Sequence, residues 1–149
     1  MLTVVRRGDG GPTARSIGPY TGELWRDLLL QQDDGFSLGK VFFTPCGRTY
    51  WHTHPGGQLL IVEHGEGLVG DDDQTIRISA GDIVWTPPNT RHWHGATSSH
   101  SMMHTAVTFA GVVWEDELSE EEYLRAQEAG RGTSFTRPSQ GDCRTSSLG

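Results

Sequence analysis

Apolar and polar residues alternate in short blocks along most of this chain, and turn-forming residues close each block before it reaches helical length. Between Gly18 and Gly35, the apolar positions Tyr20, Leu24, Trp25 and Leu28 predict one or two short strands that end in the polar turn Gln31 to Gly35. The β-branched and aromatic run Leu38 to Thr44 predicts the next strand, which Pro45-Cys46-Gly47 terminates. Thr49 to His54 follows, closed by Pro55-Gly56-Gly57. Gln58 to Glu63 is continuous enough to be buried, and Gly65, Gly67 and Gly70 with Asp71-Asp72-Asp73 predict a hairpin after it. Thr75 to Ile78 and Ile83 to Thr86 flank a turn at Ala80-Gly81-Asp82, and His92-Trp93-His94 follows the turn Pro87-Pro88-Asn89. Met102 to Phe109 supplies a further alternating strand. Strands at this cadence predict an all-β sandwich or barrel. The exception is Ser119-Glu120-Glu121-Glu122, a capping box that opens a helix stopping by Gly130. Residues 131–149 are rich in Gly, Ser, Thr and Arg with almost no apolar content, so we expect one domain over 1–130 and a disordered tail over 131–149.

Composition narrows the partners. The net charge of −7 and the scattering of the 12 basic residues leave no positive field for a phosphate backbone, so nucleic acid is not expected. The residues after Met1 lack the apolar run of a signal peptide, and no stretch approaches the ~20 apolar residues of a membrane span. A soluble, cytoplasmic protein without a membrane partner is the expectation. Cys46 and Cys143 lie far apart with no Cys-x-x-Cys spacing, which suggests neither a disulfide framework nor a thiolate zinc site, and both thiols are expected to be reduced. The 20 glycines and 7 prolines suit many tight turns.

Candidate chemistry begins with histidine spacing. Residues two apart on a strand share a face, so His52 and His54 aim both imidazoles into one space while Trp51 and Thr53 face away. A bare His-x-His is more often an ordinary pair of histidines than a ligand set. Here the reversal at Pro55-Gly56-Gly57 returns Gln58 beside the pair, and a separate turn-flanked strand carries His92. Gly47-x4-His52-x-His54-x3-Gln58-x6-Gly65 resembles the first cupin motif, and Gly81-x5-Pro87-x-Asn89-x2-His92-x3-Ala96 resembles the second, over a core of residues 38–110. The resemblance implies a single-domain, double-sheet jelly-roll β-barrel with a divalent metal held by His52, His54, Gln58 and His92.

The departures matter too. Gln58 stands where many cupins carry glutamate, the first motif is one residue short, and Asn89 and Ala96 replace the usual Gly and Asn. Three neutral imidazoles and an amide leave the ion's double charge uncompensated, which would make it a stronger Lewis acid. Without thiolates, these ligands suit manganese, iron, cobalt, nickel or zinc rather than copper(I).

Trp51 to Gln58, His92-Trp93-His94-Gly95-Ala96, Met103-His104 and Val113-Trp114 are similar to the small bacterial manganese-dependent cupin hydroxynitrile lyases. That resemblance favours manganese and implies a lyase in which a cyanohydrin oxygen meets the metal while a histidine moves the proton. His94 shares a face with His92, and His104 lies on the alternating strand from Met102, so these two are the candidate acid/base groups. Each could instead be a histidine hydrogen-bonded in the barrel wall or orienting a ligand. His64 and His100 sit in turn segments and are expected to be solvated. Val41, Phe43, Trp93 and Met102, with Trp25 and Trp85, are the candidates for an apolar pocket that takes a small organic substrate. An iron(II) dioxygenase, a decarboxylase, a polyketide cyclase and a non-catalytic ligand-binding cupin remain as rival readings. The resemblance further implies a homodimer or higher homo-oligomer.

Overall fold

The computed structural model describes residues 1–130, so the expected tail from 131 and Cys143 lie outside the described residues. Twelve strands and one helix form among the described residues. In chain order they are β1 (Ala14–Arg15), β2 (Tyr20–Thr21), β3 (Leu24–Gln31), β4 (Ser37–Phe43), β5 (Arg48–Thr49), β6 (His52–Thr53), β7 (Gln58–Asp71), β8 (Thr75–Ser79), β9 (Ile83–Thr86), β10 (His92–Ala96), β11 (Met102–Thr108), β12 (Val113–Trp114) and α1 (Glu120–Ala129). Every pairing is antiparallel. One sheet runs β1-β3-β4-β11-β7-β9. The other places β7 between β8 and β10, with β5 and β6 on the far side of β10, β2 on β5 and β12 on β6. The result is the double-sheet barrel that the motifs imply.

β7 belongs to both sheets, and its glycines allow that. Gln58 to Gly65 pairs with β11, whereas Gly67 to Asp71 pairs with β10. The register slips between Met103 and His104 so that Glu63 is passed over, a bulge that bends the strand. Gly65 follows with φ +78°, a left-handed value that a side chain would strain. The hairpin expected at Gly65, Gly67 and Gly70 is therefore corrected: these residues lie inside the strand, and the turn waits for Asp72-Asp73. A Cβ on Gly67 would collide with Met102, and one on Gly70 with the Trp93 indole. The strand expected over Thr49 to His54 is likewise two short pieces, since β5 and β6 meet β10 at separate points, Arg48 opposite Gly95 and His52 opposite His92.

Two apolar clusters hold the barrel. Leu24, Phe43, Val62, Val69, Ile78, Ala96 and Met102 fill the space between the sheets. Trp51, Leu68, Trp93, Leu118, Tyr123 and Ala126 pack outside β10 beneath α1. The helix starts as expected, the Ser119 hydroxyl accepting from the Glu122 N–H while the Glu122 carboxylate accepts from the Ser119 N–H. It is fastened to the barrel by the Tyr123 hydroxyl donating to the Ala96 carbonyl at 2.7 Å and by Arg48 stacked 4.2 Å from the Tyr123 ring. Cys46 corrects the expectation of reduced thiols, since it is disulfide-bonded. No helix among the described residues is long and apolar enough to cross a membrane.

Candidate metal centre and cavity

His52, His54 and His92 converge from β6, the segment after it and the start of β10, with ligand nitrogens all within 4.8 Å of one another. The convergence is built from register. His52 lies directly opposite His92, and strand parity keeps His54 on the same face. Backbone carbonyls orient each ring: His52 Nδ1–H donates to Tyr50 at 2.9 Å, His54 Nδ1–H to Gly111 at 2.8 Å and His92 Nδ1–H to Thr90 at 2.9 Å. A carbonyl only accepts, so each ring carries its proton on Nδ1 and presents a bare Nε2.

Burial also keeps these rings neutral. Removal from water pushes the His52 pKa well below the ordinary histidine value, with the neighbouring His92 adding to the shift. His54 is lowered by burial against the opposing pull of the Gly111 carbonyl, and His92 is pushed down to about 4, chiefly by burial. The neutral form is the one that ligates.

Gln58, at the start of β7, completes the group. Its amide nitrogen donates to the Thr108 hydroxyl at 3.0 Å, which turns the oxygen Oε1 toward His92 Nε2 at 3.2 Å. With the His92 proton on Nδ1 and directed at the Thr90 carbonyl, both of those atoms are acceptors, so their approach is unfavourable with nothing between them. A cation held between them would turn that unfavourable approach into two favourable contacts. His54 Nε2 is buried without any partner. These three imidazoles and one amide therefore fit a divalent cation, and the match needs no carboxylate or thiolate beside them.

His94 and His104 form a second group. Both are buried, and His104 Nε2 lies 3.1 Å from His94 Nδ1. The outer nitrogens, His94 Nε2 and His104 Nδ1, have no partner. Burial holds the His94 pKa well below the ordinary value, helped by His104 and the three-histidine group, and lowers His104 to about 4. Phe43 packs against both rings, with centroids 5.9 Å from His94 and 5.2 Å from His104.

His52, His54, Gln58, His94 and His104 all face one cavity of about 310 Å³ between the sheets. Val41 and Phe43 lie on its wall. Trp93 and Met102 do not, which corrects the expected pocket. Parity turns Trp93 outward between the inward-facing His92 and His94, where it packs edge-on to Tyr123 under the helix. Met102 has the inward parity but lies among Phe43, Val62 and Ala96 in the packed floor below the cavity. Trp25 and Trp85 lie at the outer surface, each partly exposed. His92 stands behind the wall, reaching the group through Gln58 and its neighbouring rings. His64 and His100 are exposed as expected, His100 lying 3.4 Å from Glu66, but His64 lies inside β7 opposite Met103 rather than in a turn.

Several wall residues escape the sequence reading: Tyr20, Leu24, Arg26, Val112 and the Gly111 segment. Trp114 is visible there only through the resemblance of Val113-Trp114. Its ring packs at a tilt, with its centroid 4.7 Å from that of His52, because β12 pairs Trp114 opposite His52, and Tyr20 meets it edge-on at 5.5 Å.

Comparison with known proteins follows the same lines. The cupin domain family matches residues 39–108. The (R)-mandelonitrile lyase of Granulicella tundricola is 37% identical over 125 residues, covering 77% of this chain and 95% of that protein. Among solved structures, a cupin-like protein of Thermotoga maritima superposes with a TM-score of 0.69 at 31% identity, covering 89% of this chain and 100% of that one. A polyketide cyclase of Streptomyces resistomycificus superposes with a TM-score of 0.62 at 20% identity, over 85% of this chain and 94% of that one, a likeness of fold alone.

Proposed function

The chain belongs to the cupin family, and from that premise we propose that it is a metal-dependent lyase that breaks and forms the carbon–carbon bond of cyanohydrins. The observation that carries this reading is the His94–His104 pair on the cavity wall, two imidazoles joined to each other with a free nitrogen at each end. The (R)-mandelonitrile lyase relative supports it across nearly its whole length. His52, His54, Gln58 and His92 would hold the ion, with manganese favoured over iron, zinc, nickel or cobalt. A bound divalent ion supplies Lewis acidity that eases ionisation of a nearby hydroxyl.

The protein's own groups account for the proton. In the tautomer with the proton on Nδ1, His94 donates to His104 Nε2 and keeps Nε2 bare. Its lowered pKa means the ring is neutral near pH 7 and able to accept. The cyanohydrin hydroxyl gives its proton to His94, the carbon–carbon bond breaks, its electron pair leaves with cyanide, and the carbonyl forms. The proton then passes to cyanide, so hydrogen cyanide and the aldehyde depart and the enzyme is unchanged. Val41, Phe43 and Leu24 exclude water from the reacting end.

Cyanide release from (R)-mandelonitrile by manganese-loaded protein tests the proposal. We expect a rate well above the spontaneous one, lost in His52→Ala. A wild-type rate no higher than that of His52→Ala removes the lyase reading.

A further inference from the structure

The cavity wall carries no aspartate or glutamate, and its one permanently charged side chain is Arg26. Strand register puts that arginine on the inner face of the barrel. Arg26 is opposite Val41, Val41 is opposite His104, and His104 is opposite Val62, so the four form one row across β3, β4, β11 and β7. Residues directly opposite share a face. The neighbours in sequence, Trp25 and Asp27, turn to the outer face beside Phe42, Lys40 and Met103.

Arg26 also lacks what a structural arginine has. Arg15, Arg77, Arg91 and Arg125 each pair with a carboxylate, and Arg48 stacks on Tyr123. Among the described residues the Arg26 side chain has no ion pair or hydrogen bond. Its five donors therefore stand open at a cavity whose inner end is three neutral imidazoles and an amide. A cation bound there would add positive charge with no carboxylate to offset it. The whole chain is acidic, at −7, whereas this cavity is lined by one arginine and no carboxylate.

We propose that Arg26 is a substrate-binding residue that selects compounds bearing a carboxylate at the end remote from the reacting oxygen. Two strand spacings, about 10 Å, separate the Arg26 and His104 backbones. A substrate spanning the cavity can thus place its hydroxyl or carbonyl near the histidines and its carboxylate on the guanidinium, which matches a carboxylate in a two-bond fork. This deepens the lyase reading, on which it rests, by naming a preferred substrate class, cyanohydrins and related hydroxy or carbonyl compounds that carry a carboxylate, over neutral compounds such as mandelonitrile that the same site would take less tightly.

Calorimetric titration of metal-loaded protein with 4-(hydroxymethyl)benzoate and with the neutral 4-(hydroxymethyl)benzamide separates the alternatives. We expect the carboxylate to bind roughly tenfold tighter at low salt, the preference to vanish in Arg26→Gln and to return in part in Arg26→Lys. Because Arg26 is exposed and unpaired, both variants should melt with the wild type. Equal binding of acid and amide by the wild type overturns the proposal, and so does a preference that survives in Arg26→Gln. A carboxylate preference found alongside no cyanide release would uphold the role of Arg26 while removing the cyanohydrin reaction. Cyanide release without the preference would do the reverse.

Discussion

The two groups of buried histidines in this barrel differ in what holds them. His52, His54 and His92 are each tied through Nδ1 to a backbone carbonyl, at Tyr50, Gly111 and Thr90, so their protonation pattern is set by the main chain. His94 and His104 are tied only to each other. A ring anchored to a carbonyl has one tautomer and one exposed lone pair, which suits it to hold an ion. A ring whose only partner is another imidazole can keep either tautomer, which suits it to move a proton. On the proposed reading, the same residue type, a few ångströms apart, serves two kinds of chemistry, distinguished by what the second nitrogen of each ring meets.

Mutations should separate the two groups. His92→Ala ought to cut manganese affinity by more than about a hundredfold, seen as loss of ion on dialysis and elemental analysis. His94→Asn should retain one ion per chain and lose about 10²- to 10⁴-fold in cyanide release. If His94→Asn instead sheds its metal, the division between holders and movers is wrong.

Acid should act on both groups in the metal-free protein. Burial lowers His104 to about 4, against an ordinary value near 6.5. As pH falls the unfolded chain takes up the proton first, so the contribution is complete above about pH 6.5 and declines toward pH 4. The loss is roughly 3 kcal/mol for this one residue. Urea midpoints measured from pH 7 to pH 4.5 should fall in the wild type and fall less in His104→Phe. Parallel curves would show that His104 is not the group titrating.

The gentlest test concerns Gln58. Thr108→Val removes the hydroxyl that accepts from its amide nitrogen, leaving the oxygen less firmly aimed. About tenfold weaker manganese binding should follow, with the fold intact by circular dichroism. Unchanged affinity would mean that the amide is oriented by something else.

Much of this is legible in the residues themselves, and the limits have a physical pattern. Period-two alternation places His52 with His54 and His92 with His94, because parity is local. The capping box at Ser119 is readable for the same reason. Parity says which face a side chain takes but not how deep it lies, so Met102 reads as a cavity residue when it belongs to the floor. For Trp93, local parity argues outward, and aromatic character alone is a poor guide to a pocket. The glycines of β7 look like a turn because the bulge at Glu63 and the packing of Trp93 and Met102 against Gly70 and Gly67 are set by partners distant in sequence. The Gly111 carbonyl, which orients His54 across 57 residues, leaves no side-chain signal at all.

Crystals of manganese-loaded protein, with diffraction recorded at the manganese absorption edge, test the central claim most directly. The account predicts one anomalous peak per barrel, about 2.1–2.3 Å from Nε2 of His52, His54 and His92 and from Oε1 of Gln58. A peak elsewhere, or none at full manganese loading, would contradict it.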